Sequence, residues 1–196
     1  MSTQPEQKMG LLHKIKEGFT HHVLDSTAIM TESNPIFAAS EVVVSGMSYD
    51  ASLNARLFVT AGTFAGAGWL YGKGRDVWRK TFQVTDQTKE RIQQIHDGVY
   101  AATFSTLTMP FVYLLSGAKD LKEIAIGTAS AVAIGAVNGI PLGYSIDLFR
   151  DLTGLQSSAR VPKLIQERSL VTKKSLAALL VGTSLGLTAT VYKTFT

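Results

Sequence analysis

Glu41 is the side chain best placed to do chemistry, because it stands in a segment, roughly Val23 to Val44, that hydropathy alone would not mark as a span but that the alternation of basic loops and the repeat both require to cross the membrane. A charged group at the centre of a membrane helix costs about 2.5–3.5 kcal/mol on insertion scales, and such groups mark ion or solute pathways. At 1.5 Å per residue, Glu41 lies about 6 Å before the turn at Ser45-Gly46. There it could take up a proton or meet the ammonium of a solute, or simply reach water or Arg56. Glu32 lies nine residues earlier, about 180° around an unbroken helix, so the two acids cannot share a face; Glu32 shares its face with Asp25. Asp25 and Asp97 sit at helix starts, where capping and the helix dipole already account for them, yet their matching placement makes both pathway candidates. Asp76 and Asp147, with Arg75, Arg79 and Arg150 nearby, are expected to form cytoplasmic ion pairs.

None of this reads as an enzyme. The chain contains no HExxH, GxSxG, phosphate-binding loop or dinucleotide fingerprint in its required context. His13, His21, His22 and His96 lie at or outside the apolar segments, and His21-His22 is read as a water-facing pair rather than a metal site. Cysteine is absent, which removes disulfides and thiol chemistry. No metal and no cofactor is expected. The net charge of +4 could suggest nucleic acid, but the basic residues form no stripe with interleaved aromatics, so nucleic acid is excluded as a partner.

The elements that must hold these residues are long and apolar. Only 17% of the 196 residues are charged, and they gather between runs that have none: Leu57–Gly72, Gly98–Ala118, Ile124–Ile146 and Ser175–Tyr192. Runs of about 17–25 such residues span a bilayer. Mean hydropathy is a modest +0.15 because glycine, alanine, serine and threonine fill the runs and charged loops dilute them. Of the 19 Lys and Arg residues, three lie in the arm 1–20, six between Lys73 and Arg91, and six between Arg150 and Lys174. Basic loops stay cytoplasmic, so the N-terminus is expected inside and five crossings would put the C-terminus outside. No cleavable leader is expected, since charges run through the first 20 residues. The arm is read as either a basic surface helix or a disordered tail.

The segments also repeat. Ser45-Gly46 and Gly68-xxx-Gly72-xxx-Asp76 recur 71 residues later as Ser116-Gly117 and Gly139-xxx-Gly143-xxx-Asp147, and Arg79 recurs as Arg150. The expected architecture is an all-α integral membrane protein: a four-helix bundle of two tandem hairpins, 21–79 and 93–150, within a core 21–152. A basic cytoplasmic loop 153–174 and an additional C-terminal helix 175–192 follow. Gly62, Gly66, Gly68, Gly72, Gly135, Gly139 and Gly143 are spaced by four, which lets a second helix approach each glycine face, within one chain or between chains. Pro35 is expected to kink or break the first helix, making it a pathway wall. In the third segment, Thr103, Ser105, Thr106 and Thr108 either satisfy the carbonyls freed by Pro110 or offer hydrogen bonds to a zwitterion. A surface helix is expected near 86–94.

The chain resembles the bacterial L-alanine exporter (AlaE) family of small inner-membrane proteins. The carrying residues are Asp25, Glu41, Ser45-Gly46-Met47-Ser48, Arg56, Tyr71-Gly72-x-x-Arg75-Asp76, Asp97, Thr103-Phe104 and Gly143-Tyr144-x-x-Asp147, spread over roughly 21–150. The resemblance implies four transmembrane helices, assembly through glycine-lined faces, and export of L-alanine driven by the electrochemical gradient. The chain departs from the family pattern at Glu32, in three residues inserted between Phe104 and Pro110, and in the fifth hydrophobic segment. The leading expectation is therefore an exporter of L-alanine or a similar small neutral amino acid in the cell inner membrane, with the lipid bilayer and a second copy of the chain as partners. Glu41 would meet a proton or the solute ammonium, and Arg56 or a helix N-terminus the carboxylate. The alternatives are a non-transporting membrane scaffold held by its glycine faces, or a soluble helical domain that buries these segments in its own core.

Overall fold

The computed structural model describes residues 4–85, 87–117 and 120–195, and among them there is helix and turn but no strand. Helix α1 (Gln4–Ala39) passes into a π-helical turn, Ser40–Val44. Helix α2 (Tyr49–Gly62) passes through a second π turn, Thr63–Ala67, into α3 (Gly68–Thr81). Helices α4 (Glu90–Leu115), α5 (Leu121–Leu152), α6 (Lys163–Gln166) and α7 (Leu170–Phe195) follow. The arm is thus helical from Gln4 and continuous with the segment it precedes. Lys119 and Asp86 lie outside the described residues. Among the described residues no separate surface helix forms at 87–94; Glu90 to Gln94 are the opening turn of α4, whose Glu90 pairs with Arg160.

Among the described residues, three helices are long and apolar enough to cross a membrane: Glu90–Leu115, Ile124–Leu152 and Leu170–Phe195. The exterior fits lipid. Leu107 and Phe111 of α4, Val137 of α5, and Leu57 and Trp69 of the α2–α3 segment are exposed, while Arg75, Glu41, Gln93 and Asp97 are each 2% exposed or less. A soluble fold arranges these the other way round.

Both helix stops that precede the short turns use the same device. Gly46 and Gly117 take left-handed φ values of 64° and 96°, which glycine adopts without the Cβ penalty, and so end the first run of each repeat at matching positions. Ser48 then caps α2 by accepting from the Ala51 N–H at 3.3 Å, and Asp120 caps α5 by accepting from the Lys122 N–H at 2.8 Å. Gly154, just beyond α5, also takes a left-handed φ of 77°.

The packing glycines work in register. A Cβ on Gly68 or Gly72 would strike Ser26 or the Asp25 carboxylate of α1; one on Gly139 or Gly143 would strike α4 at Gly98, Ala101 or the Asp97 carboxylate. Gly135 lies against Ala101 and Ser105. Gly62 and Gly66 do not belong to that set within the chain, since a Cβ at either meets nothing within 4 Å. Gly66 instead takes φ 137° and opens the π turn.

The expected break at Pro35 does not occur there. Helix α1 continues to Ala39, and the backbone loosens at Ser40–Val44 and Thr63–Ala67 instead. The second irregularity is stitched to α1: Ser26 Oγ donates to the Thr63 carbonyl at 3.2 Å, and His22 Nε2 meets the Phe64 carbonyl at 2.8 Å. The carbonyl can only accept, so His22 donates through Nε2–H to the backbone while its ring stays partly exposed.

Helix α7 packs on α1 and α5. Lys173 at its start bonds Asp151 at the end of α5, 2.7 Å, and Tyr192 near its end meets Ser52 at 3.1 Å and stacks edge-on against Tyr49. It therefore runs parallel to α1, from the end of the molecule that carries the long loops to the end that carries the short turns.

Candidate functional site

The charged residues gather at two levels. At the turn end, the π turn places Glu41 against α2, where Ser52 and Arg56, four apart, share one face. Arg56 clasps the carboxylate with both arms, Nε to Oε2 at 3.0 Å and Nη2 to Oε1 at 2.5 Å, and Ser52 Oγ donates to Oε2 at 2.8 Å. Glu41 is 1% exposed and Arg56 5%, and the Phe37 ring lies 5.1 Å from the guanidinium. Tyr192 extends the group through Ser52.

At the loop end, the pairs cross between the two repeats. Asp25 of the first takes Nε and Nη2 of Arg150 from the second, 2.7 and 2.5 Å; Asp97 of the second takes the same two atoms of Arg79 from the first, 2.9 and 2.5 Å. Between them lies Arg75, 2% exposed, which donates to Asp97, to Asp147 and to the Gly143 carbonyl. Arg160 closes the set from the loop, with 2.8 Å to Asp147 and 2.7 Å to Glu90. Burial by itself would lower the Arg160 guanidinium, but the hydrogen bond to Glu90 and the Asp147 charge outweigh it and hold its pKa above the ordinary arginine value. Asp76 departs from expectation: it is exposed and forms no ion pair among the described residues, because the neighbouring arginines are turned to the other acids.

Between the two levels lies a cavity of about 360 Å³, walled by both repeats. Its lining is mostly apolar, with Arg56 near the turn end and Asn138, Ser33, Ser105 and Thr63 as polar points. The volume falls in the range of about 300–1,000 Å³ that suits small-ligand sites. Gly62, Gly68, Gly135 and Gly139 also border it, the last three at helix contacts too close for a Cβ. Of the third-segment hydroxyls, Thr103, Thr106 and Thr108 each return to a carbonyl four residues earlier, whereas Ser105 and Thr108 line the cavity.

Glu32 faces elsewhere. Its Oε2 accepts from Asn138 Nδ2 at 2.7 Å, and it lines a crevice between α1, α5 and α7. Sequence reasoning missed Asn138, Ser52, Tyr192 and Arg160. Asn138 had a signal, an amide in the middle of a 23-residue uncharged run, and Ser52 had its spacing from Arg56. Arg160 had none, because a loop carries no periodicity.

A family model described as AlaE: L-alanine exporter matches residues 12–156. The chain is similar to the L-alanine exporter AlaE of Cronobacter sakazakii, 29% identical over 143 residues that cover 72% of this chain and 87% of that one. It is likewise similar to those of Escherichia coli K12, 26% identical over 132 residues covering 67% and 87%, and of Citrobacter koseri, 26% identical over 137 residues covering 70% and 90%. No solved structure matches it. Helix α7 lies beyond the matched residues.

Proposed function

This chain belongs to the L-alanine exporter family AlaE, and on that premise we propose that it moves L-alanine, or a similar small neutral amino acid, out across the cell inner membrane at the expense of the electrochemical gradient. The observation that carries the reading is the cavity between the repeats, large enough for a small zwitterion and bordered by a guanidinium at one end. Tandem hairpins 21–79 and 93–150 with both starts on the cytoplasmic side would be related by an axis along the membrane normal, with the solute between them near the midplane. Five crossings then leave the N-terminus and the basic loops inside and the end of α7 outside. Four core helices enclose little volume, and the protein therefore works as a homo-oligomer.

The crossed pairs Asp25–Arg150 and Asp97–Arg79 tie one hairpin to the other and act as the cytoplasmic gate, with Arg75 and Asp147 as its centre. Glu41 and Arg56 answer each other when the cavity is empty. When solute arrives, Arg56 turns to its carboxylate and Glu41 to its ammonium or to a proton. Counterflow of labelled L-alanine in vesicles holding the purified protein tests the reading. Uptake against unlabelled internal alanine is expected, with loss of most of it in Glu41→Gln; absence of movement at every imposed gradient would reject transport.

A further inference from the structure

Glu32 takes no part in either charged level, and among the described residues its surroundings differ from those of the other acids on the core helices. Asp25, Glu41, Asp97 and Asp147 each hold an arginine. Glu32 holds none: its Oε2 meets the Asn138 amide, and its Oε1 is buried with no hydrogen-bond partner. Along α1 it lies seven residues from Asp25 and nine from Glu41, so neither end's arginines reach it. An ionised carboxylate with one oxygen unmet and no cation beside it is the least favourable state such a group can adopt in an apolar setting.

We propose that Glu32 and Asn138 form a proton-binding site, with the proton carried by the carboxyl of Glu32 and its affinity set by the amide. A proton needs one oxygen; a metal cation needs several, and no group of three or more acidic or histidine side chains suited to a metal exists among the described residues. The crevice that Glu32 lines, about 400 Å³ between α1, α5 and α7, offers Tyr144, Thr183 and Ser184 as polar company. Titratable groups facing Glu32 are Tyr71 from α3, which feels its charge, and Tyr144 from α5; α7 presents only hydroxyls, and α2 meets this turn through Thr60, bonded to Asn34. Tyr144 in turn lies in the field of Arg160 and Glu90, which leads from the crevice toward the loop end.

The amide makes the site more than a stored proton. Asn138 is 5% exposed and forms part of the wall of the central cavity, while its Nδ2 points through that wall to Glu32. A solute that draws on Asn138 from the cavity changes what Glu32 receives, so solute affinity and proton affinity are linked, each altering the other by the same factor. This use of the site rests on the transport reading; the protonation itself does not.

Infrared spectra of the full chain in lipid nanodiscs separate the two. At neutral pH the wild type is expected to show the carbonyl stretch of a protonated carboxylic acid that Glu32→Gln loses and Glu41→Gln keeps. Asn138→Ala is expected to shift that band, which keeps the test open should Glu32→Gln fold poorly. A wild-type spectrum with no such band, a band untouched in both variants, or a band abolished by sodium at fixed pH overturns the proposal. In vesicles, Glu32→Gln is expected to reduce acceleration of labelled L-alanine by an imposed pH gradient at least fivefold while exchange without a gradient persists. Equal acceleration in both proteins overturns the coupling. If the wild type moves no alanine but the band behaves as described, the site stands and the transport reading fails.

Discussion

The buried pair of Glu41 and Arg56 sets the energetic scale of single residues. Removing one partner of such a pair leaves an uncompensated charge and costs about 3–5 kcal/mol, whereas removing both costs far less. Arg56→Ala is therefore expected to lower the melting temperature in detergent strongly, and Glu41→Gln in the same chain to restore part of the loss. A double variant no more stable than Arg56→Ala would show that the pair, closed at 2.5 Å and 3.0 Å, is not what holds this turn. Arg56→Lys keeps the charge but forfeits the two-armed clasp, and should fall between wild type and alanine. At the far end of the same cluster, Tyr192→Phe deletes one buried hydrogen bond to Ser52, worth about 1 kcal/mol by the usual scale. The acids were legible from sequence because charge is rare at depth, and Arg56 was within reach of Glu41; which arginine each aspartate would choose was not, since Arg75, Arg79 and Arg150 all lay within reach on spacing alone.

Among elements, glycine is informative only with its neighbours in view. Gly143→Ala puts a methyl group against the Asp97 carboxylate and the Arg75 guanidinium, and either the helix pair or the ion cluster must give way. Gly62→Ala meets nothing within 4 Å on an ordinary helical backbone, and is expected to be neutral or to stabilise by about 0.5–1 kcal/mol through helix propensity. Thermal unfolding of the two variants side by side checks this; equal losses would mean the glycine face at 135–143 is not packed against α4. Gly66→Ala is strained despite the open space, since φ 137° is a region that alanine rarely adopts. The spacing of four announced all of these glycines alike. What it could not announce was that one hairpin's second helix is interrupted at Thr63–Ala67 while α5 runs unbroken over the matching stretch. Pro35 lies on the run that does loosen, but the irregularity falls beyond it, at Ser40–Val44, and a second one falls at Thr63–Ala67, where no proline stands.

For the whole molecule, the crossed ion pairs make the halves interdependent. Exchanging the charges of one pair, Asp25→Arg with Arg150→Asp, should recover stability and transport lost in either single variant, as judged by melting temperature and by alanine counterflow. Failure of the exchange while Asp97 and Arg79 remain intact would count against a shared role for the two pairs. Helix α7 is bound at both ends, by Lys173–Asp151 and by Tyr192–Ser52. Deleting 170–195 is therefore expected to leave an inserted protein that melts at lower temperature, and a truncated chain of unchanged stability would show the helix to be unattached. Extraction without detergent would contradict the lipid-facing exterior formed by Phe111, Leu107 and Leu57.

Sequence alone determined that the chain is helical and apolar, that its segments recur at a fixed offset, and that a few acids stand where lipid would exclude them. Those are properties of composition and spacing, and both are written along the chain. Tertiary structure decided the rest: that Asp25 answers to Arg150 rather than to its own hairpin, that Tyr192 returns to Ser52, and that Glu32 meets the Asn138 amide. Each of these joins residues far apart in the chain, and a hydrogen bond is decided by the angle at which two helices pass, which no local pattern encodes.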